Sequence, residues 1–203
     1  MIGLIRSMNA LLNVIKKSNF MEEGEVSMAK KYLFVVDMQK DFVDGVLGSK
    51  EAVAIVPALL QKIEGFDGDV IFTYDTHQAD YMDTQEGHML PVPHCIEGSD
   101  GWQLIEQLEE IRVKGGCRSY RKPIFGCVKL AQDLQAEYAE GAIESIELAG
   151  VCTDICVASN ALLLKAYMPE VPISVDSKCC AGVTPEKHEA ALETMRSCQI
   201  AVK

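Results

Sequence analysis

The stretch Ser145-Ile-Glu-Leu-Ala-Gly-Val-Cys-Thr-Asp-Ile-Cys-Val157 decides the fold, because it turns from one kind of pattern into another at a glycine. A short apolar strand, Ile146 to Ala149, leads through Gly150 into a helical pattern over Asp154 to Ala166. Outward in both directions the same alternation repeats. Tyr32 to Val36, Val70 to Tyr74, Cys117 to Arg121, Ile173 to Val175 and Ile200 to Val202 read as the other strands. Ala52 to Ile63, Trp102 to Glu110, Val128 to Tyr138 and Pro185 to Ser197 read as the other helices, with Thr184 as N-cap before Pro185. This order predicts an α/β fold: a doubly wound, Rossmann-like, six-stranded and mostly parallel sheet with helices on both faces. Ligands of such sheets sit beyond the carboxyl ends of the strands. Asp37, Asp75, Lys122 and the Gly150–Cys156 turn are therefore expected along one edge.

The chain has 203 residues, 48% of them hydrophobic, enough for one domain around one core. Its formal charge of −11 argues against a nucleic-acid partner, whose phosphates need clustered Lys and Arg. Eight cysteines with no secretory signal, two of them adjacent at Cys179 and Cys180, fit reduced thiols in a cytoplasmic protein. No run approaches the roughly 18 apolar residues of a membrane span, so no membrane partner is expected. Residues 1–27 stand apart as an N-terminal extension. There Ile2, Ile5, Met8, Leu11, Leu12 and Ile15 recur at helical spacing among Arg6, Lys16 and Lys17, the pattern of a short amphipathic helix. Met28-Ala-Lys-Lys-Tyr reads as a start that runs directly into the first strand. The expectation is translation from Met28 and one folded α/β domain over 28–203, with the extension either helical or poorly ordered.

Three groups of residues carry chemistry. Cys156, in the first turn of a helix, lies near unpaired N–H groups and the positive end of the helix dipole, which favour a thiolate and can hold an oxyanion. A buried, inert cysteine is the plainer reading of that position. Asp37 closes a buried strand and needs a partner, which Lys122 at a neighbouring strand end can supply. Such a carboxylate can take a thiol's proton while the ammonium stabilises both anions; a structural ion pair is the alternative. Asp75 and His77 alternate in an extended segment and so project to one side. With His94 on the proline-stiffened Pro91-Val92-Pro93 loop they form a set suited to zinc, iron or manganese. Glu86, Asp83 and His88 lie between as candidates for a further ligand. Capping and surface roles are the other reading of this group, and His88 and His188 read as surface residues.

Together these segments resemble the isochorismatase-like cysteine hydrolases, specifically their nicotinamidase-related branch, from Lys31 to Lys203. The motifs are Val36-Asp37-Met38-Gln39-Lys40-Asp41-Phe42, Asp75-Thr76-His77, Pro93-His94-Cys95, Lys122-Pro123 and Gly150-Val151-Cys152-Thr153-Asp154-Ile155-Cys156. The resemblance implies a triad of Asp37, Lys122 and Cys156 and a cis peptide between Val151 and Cys152, with the amides of Cys152 and Cys156 turned toward the oxyanion. It implies hydrolysis of a small amide through a thioester, with nicotinamide the leading substrate. It also implies a divalent metal, zinc first, on Asp75, His77 and His94 with Glu86 as an added ligand, and no organic cofactor. Phe42 matches an aromatic that packs on the substrate ring, and a homo-oligomer is implied. True isochorismatases cleave a vinyl ether without that thiol, so Cys156 favours amide chemistry.

Two departures bear on the substrate. Pro91 stands where better-known nicotinamidases carry a tryptophan, and the segment after Lys122, Pro123-Ile-Phe-Gly-Cys127, is short, leaving Phe125 as a replacement wall. Another small amide or carbamoyl compound, as for N-carbamoylsarcosine or ureidoacrylate amidases, is the alternative substrate class. A thiol-redox or metal-binding protein, from the Cys152/Cys156 pair and the Cys179-Cys180 doublet, and a catalytically silent binding subunit are readings of other classes. Neither cysteine pair has Cys-x-x-Cys spacing.

Overall fold

The unbroken apolar run from Tyr32 to Val36 is fully buried, as a strand covered on both faces must be, and it lies at the heart of a six-stranded sheet. The computed structural model describes residues 29–203; the 1–27 extension and the expected start at Met28 lie outside the described residues. The strands are β1 (Lys30–Val36), β2 (Asp69–Asp75), β3 (Arg118–Lys122), β4 (Ile143–Val151), β5 (Ile173–Ala181) and β6 (Ala201–Val202). They are ordered β3-β2-β1-β4-β5-β6, and every neighbouring pair is parallel. The chain builds outward from β1 to β3 and then returns to add β4 on β1's other side. Right-handed crossovers therefore place the helices of the two halves on opposite faces, and the reversal point lies between β1 and β4.

Seven α-helices occur among the described residues: α1 (Lys40–Val43), α2 (Lys50–Glu64), α3 (Gln85–Met89), α4 (Glu106–Lys114), α5 (Val128–Ala139), α6 (Ala158–Tyr167) and α7 (Pro185–Ser197). The Ser49 side chain caps α2 by accepting from Ala52 N at 3.0 Å. Its buried face of Ala52, Ile55, Leu59 and Ile63 follows the helical period and packs on β4 and β5. None of these helices is long and apolar enough to cross a membrane.

Several boundaries differ from the sequence expectation, among them β4, which runs Ile143–Val151, and three differences have a local cause. The helix expected over Trp102–Glu110 is α4, Glu106–Lys114, because the backbone ahead of it bonds sideways instead. Gln39 Nε2 donates to Trp102 O (2.9 Å), Lys40 N to Gln103 O (2.9 Å), and the Trp102 indole N–H to Thr76 Oγ1 (3.0 Å). β5 runs six residues past Val175, to Ala181. The polar Asp176-Ser177-Lys178 stretch that hides this continuation is an irregularity opposite β4, after which Gly150 pairs with Cys180. The helix expected from Asp154 begins instead as a π-helical turn, Thr153–Val157, ahead of α6.

Behind the sheet, Glu147 of β4 is buried between Lys62 of α2 and Lys203, and Lys62 Nζ also reaches Asp176 Oδ2 at 2.6 Å. Burial opposes ionisation of both acids, yet Lys203 and Lys62 hold Glu147, and Lys62 holds Asp176, below the usual carboxyl range. A depressed folded pKa stabilises the fold above the unfolded value, about 4, and that contribution is lost as pH falls through the folded value. Glu147→Gln is therefore expected to flatten the fall of Tm with pH below about 4.3, and parallel melting curves would remove this role from the cluster.

Candidate active site

The carboxyl ends of β1, β2, β3 and β4 meet where the sheet reverses. Gly150 lets β4 approach β1 there: its φ is +123°, and a Cβ at this position would lie 2.2 Å from Val36 O. One residue past β1, Asp37 takes a left-handed φ of 50° and is fully buried. Its Oδ1 accepts from the Thr73 hydroxyl at 2.7 Å, and that hydroxyl accepts from Asp37 N at 3.2 Å. Its Oδ2 lies 2.7 Å from Lys122 Nζ in a fully buried ion pair.

Lys122, the last residue of β3, has no exposed side-chain surface. Its ammonium carries three protons and meets three acceptors: Asp37 Oδ2, Asp75 Oδ1 at 3.1 Å and Cys156 Sγ at 3.4 Å. Burial disfavours its charge, but Asp37, Cys156 and Asp75 outweigh burial and raise its pKa well above the ordinary value. Cys156 is pushed well up by burial and then by the Asp37 charge, which together overcome Lys122. Asp37 is likewise raised by burial, against Lys122 and with Asp75. Burial thus opposes the helix-start preference for a thiolate and places the thiol next to a carboxylate of enhanced basicity.

The Cys156 turn is anchored from several sides. Cys152 O accepts from Ile155 N (3.1 Å) and Val157 N (3.0 Å), and the Val151–Cys152 peptide is cis. Asn160 Nδ2 donates to Cys156 O at 2.8 Å and to Phe125 O at 3.0 Å, while its Oδ1 accepts from Cys127 N at 2.8 Å. Asn160 thus couples the cysteine's turn to the segment that follows Lys122. Burial, then Asp154 and Asp37, push the Cys152 thiol up to about 12, which gives it little thiolate for redox exchange.

Asp75, His77, Glu86 and His94 bring one ligand atom each to within 4.8 Å of the others. Asp75 Oδ2 is 3.1 Å from His77 Nε2 and 3.7 Å from His94 Nε2, and Glu86 Oε1 is 3.7 Å from His77 Nε2. Ligands about 2.0–2.1 Å from a tetrahedral ion stand roughly 3.3 Å apart, so this buried oxygen and nitrogen set has the dimensions and chemistry of a divalent metal site. His94 Nδ1 lies 2.8 Å from Val92 O, a bond that fixes Nδ1–H as donor and leaves Nε2 with its lone pair. Asp75 is held far below the usual carboxyl range: burial opposes this, but hydrogen bonds from His77 and His94 and the Lys122 charge prevail. Of the other candidates, Asp83 and His88 are exposed and outside the cluster. The Phe42 ring lies 5.4 Å from that of His94, and the Phe125 side chain is exposed at 36%.

Several residues with roles here went unassigned in the sequence. Gln39 is fully buried; its Nε2 donates to Asp75 O and its Oε1 accepts from Asp75 N, both at 2.8 Å. Tyr81 packs 4.7 Å from His77 and 5.1 Å from His94. Asp41 Oδ2 accepts from Cys95 N at 2.8 Å, tying the His94 loop to α1. His188, expected in solvent, is half-buried, with Nδ1 2.8 Å from Thr153 Oγ1. The available signal was polarity out of place: Thr73 interrupts a run of buried apolar residues, and Asn160 sits one helical turn beyond Cys156.

Residues 31–202 match the family model described as the isochorismatase domain. The chain belongs to the isochorismatase family. Among relatives of this isochorismatase-family chain, a nicotinamidase of Schizosaccharomyces pombe is 28% identical, over 84% of this chain and 91% of its own length. The crystal structure of a nicotinamidase/pyrazinamidase from Bacillus subtilis is 30% identical with a TM-score of 0.71, covering 85% of this chain and 99% of that one. A pyrazinamidase of Pyrococcus horikoshii in complex with zinc has the same fold, with a TM-score of 0.71 at 23% identity over 86% of this chain and 98% of its own.

Proposed function

We propose that this isochorismatase-family chain is an amide-hydrolysing enzyme that releases ammonia from nicotinamide through a thioester on Cys156. The observation that carries the proposal is the position of Lys122 Nζ, within 2.7–3.4 Å of Asp37, Asp75 and Cys156. It joins a nucleophile and its base to the edge of a ligand-binding cluster. The nicotinamidase relatives in yeast and Bacillus support the substrate.

Asp37 takes the Cys156 proton as sulfur attacks the amide carbon, and Lys122 stabilises the charge developing on sulfur. The tetrahedral oxyanion is held by the amides of Cys152 and Cys156. Asp37 then gives its proton to the departing nitrogen as the C–N bond breaks, releasing ammonia. Water deprotonated by Asp37 attacks the thioester, nicotinate leaves, and the proton returns to the thiolate. Asp75, His77, Glu86 and His94 would hold a divalent metal, zinc first with iron or manganese as alternatives, which would supply a Lewis-acidic point for the ring nitrogen of the substrate. Phe42 packs against one face of the ring. Pro91 stands where a tryptophan would cover the ring's other face, and this favours a second reading: carbamoyl compounds or other small amides as substrate.

Ammonia release from nicotinamide is expected to stop after chelation and to return with zinc. Full release in chelator would remove the metal from the proposal. No release from the zinc-loaded protein, with release from N-carbamoyl compounds instead, would establish the second reading.

A further inference from the structure

Resting on the thioester reading above, we infer that His188 is a positioning residue for the nucleophile, acting through the Thr153 hydroxyl. The π-helical turn Thr153–Val157 is framed by Cys152 and Cys156, whose amides receive the oxyanion in that reading. Asn160 secures it at Cys156 O. At the opposite end two side chains reach the junction of β5 and α7: Asp154 Oδ1 accepts from Val183 N at 2.9 Å, and Thr153 Oγ1 meets His188 Nδ1 at 2.8 Å.

Thr153 has no exposed surface, and a buried hydroxyl needs a partner; the imidazole supplies it. His188 can do so because its backbone is fixed. Pro185 starts α7 and Thr184 caps it, accepting from Lys187 N at 3.3 Å through Oγ1 and from His188 N at 2.9 Å through its carbonyl. Helical side chains lean toward the N-terminus of their helix, which here aims the imidazole at the turn. Gly182 allows the close approach: a Cβ there would lie 2.9 Å from both Asp154 Oδ1 and His188 Cβ. The bond therefore sets how α7 seats against the residue between the two oxyanion amides. Slack in it would shift the Cys152 amide and the sulfur relative to Asp37 and Lys122, and small displacements cost rate steeply.

The test is steady-state kinetics on the zinc-loaded enzyme. His188→Phe and Thr153→Val are each expected to lower kcat about tenfold with KM within about twofold, and the double variant to be no worse than either alone. His188→Asn, whose amide reproduces the Nδ1 position, and Thr153→Ser, which keeps the hydroxyl, are expected to restore kcat to within about threefold of the unmodified enzyme. Lowered Tm with unchanged kcat in both disruptive variants, or His188→Asn as slow as His188→Phe, would overturn the inference. Should His188→Phe not fold, the Thr153→Val and Thr153→Ser pair carries the same comparison. If the unmodified protein turns over no amide, the thioester reading fails separately. The alkylation rate of Cys156 by iodoacetamide, followed by peptide mapping, then decides: a rate altered by His188→Phe and restored by His188→Asn supports the positioning role, and equal rates in all three proteins overturn it.

Discussion

Cys156→Ala is expected to lower ammonia release from nicotinamide by on the order of 10⁴-fold or more, the scale seen when a covalent nucleophile is removed from a site whose other parts remain. Only the sulfur is lost. Asp37, Lys122 and Asp75 keep their mutual contacts, so binding of nicotinamide should survive and the defect should fall on kcat. Cys156→Ser should be nearly as slow: its hydroxyl holds a proton far more tightly than a thiol, and a carboxylate, even one made more basic by burial, is a poor base for it. Rapid acid quench of the unmodified enzyme with nicotinamide, followed by mass spectrometry, should show a nicotinoyl group on the Cys156 peptide. Turnover of Cys156→Ala within tenfold of the unmodified enzyme would rule out the thioester route.

Lys122→Met is expected to be the most damaging substitution for the fold as well as for activity. Lys122 is the shared partner of two carboxylates, Asp37 and Asp75, both almost wholly buried. Removing one member of a buried charge group leaves its partners uncompensated and typically costs about 3–5 kcal/mol, a large part of the 5–15 kcal/mol that stabilises an ordinary domain. Denaturant unfolding should show a midpoint lowered accordingly. Adding Asp37→Asn to Lys122→Met should recover part of the loss, because one orphaned charge is then gone. An unchanged midpoint in Lys122→Met would mean that the two carboxylates find other compensation and that the ammonium is not what holds them.

The alternation of strands and helices was legible because β1, β2 and β4 are covered on both faces, which forces nearly continuous apolar sequence onto them. Elements whose stability lies in polar contacts were not. α1 and α3 are short and leave little periodic trace, and α4 starts late because Trp102 is spent on Thr76 and Tyr74. β5 continues through Asp176, Ser177 and Lys178 by bonding to the C-terminal strand: Ser177 N donates to Lys203 O at 3.1 Å. For the candidate site, acids, imidazoles and a thiol at strand ends were visible as residue types in suggestive order. The side chains that orient them were not, because Gln39, Thr73 and Asn160 act through backbone atoms and hydroxyls that only three-dimensional proximity defines. The helix-start position of Cys156 is local and readable, whereas the burial beside Asp37 and Asp75 that raises its pKa is not.

Asp75, His77, Glu86 and His94 all come from one continuous connection, rooted at the end of β2 and closed before α4, while Asp37, Lys122 and Cys156 belong to three other strand ends. The Asp75–Lys122 contact bridges the two sets directly. On the proposed mechanism the proton-handling half can therefore stay fixed while the recognition half is exchanged wholesale, like a tool bit in a common handle. Grafting that single connection from a relative of different substrate preference is accordingly a test of whether recognition can be retargeted while the proposed nucleophile is left in place.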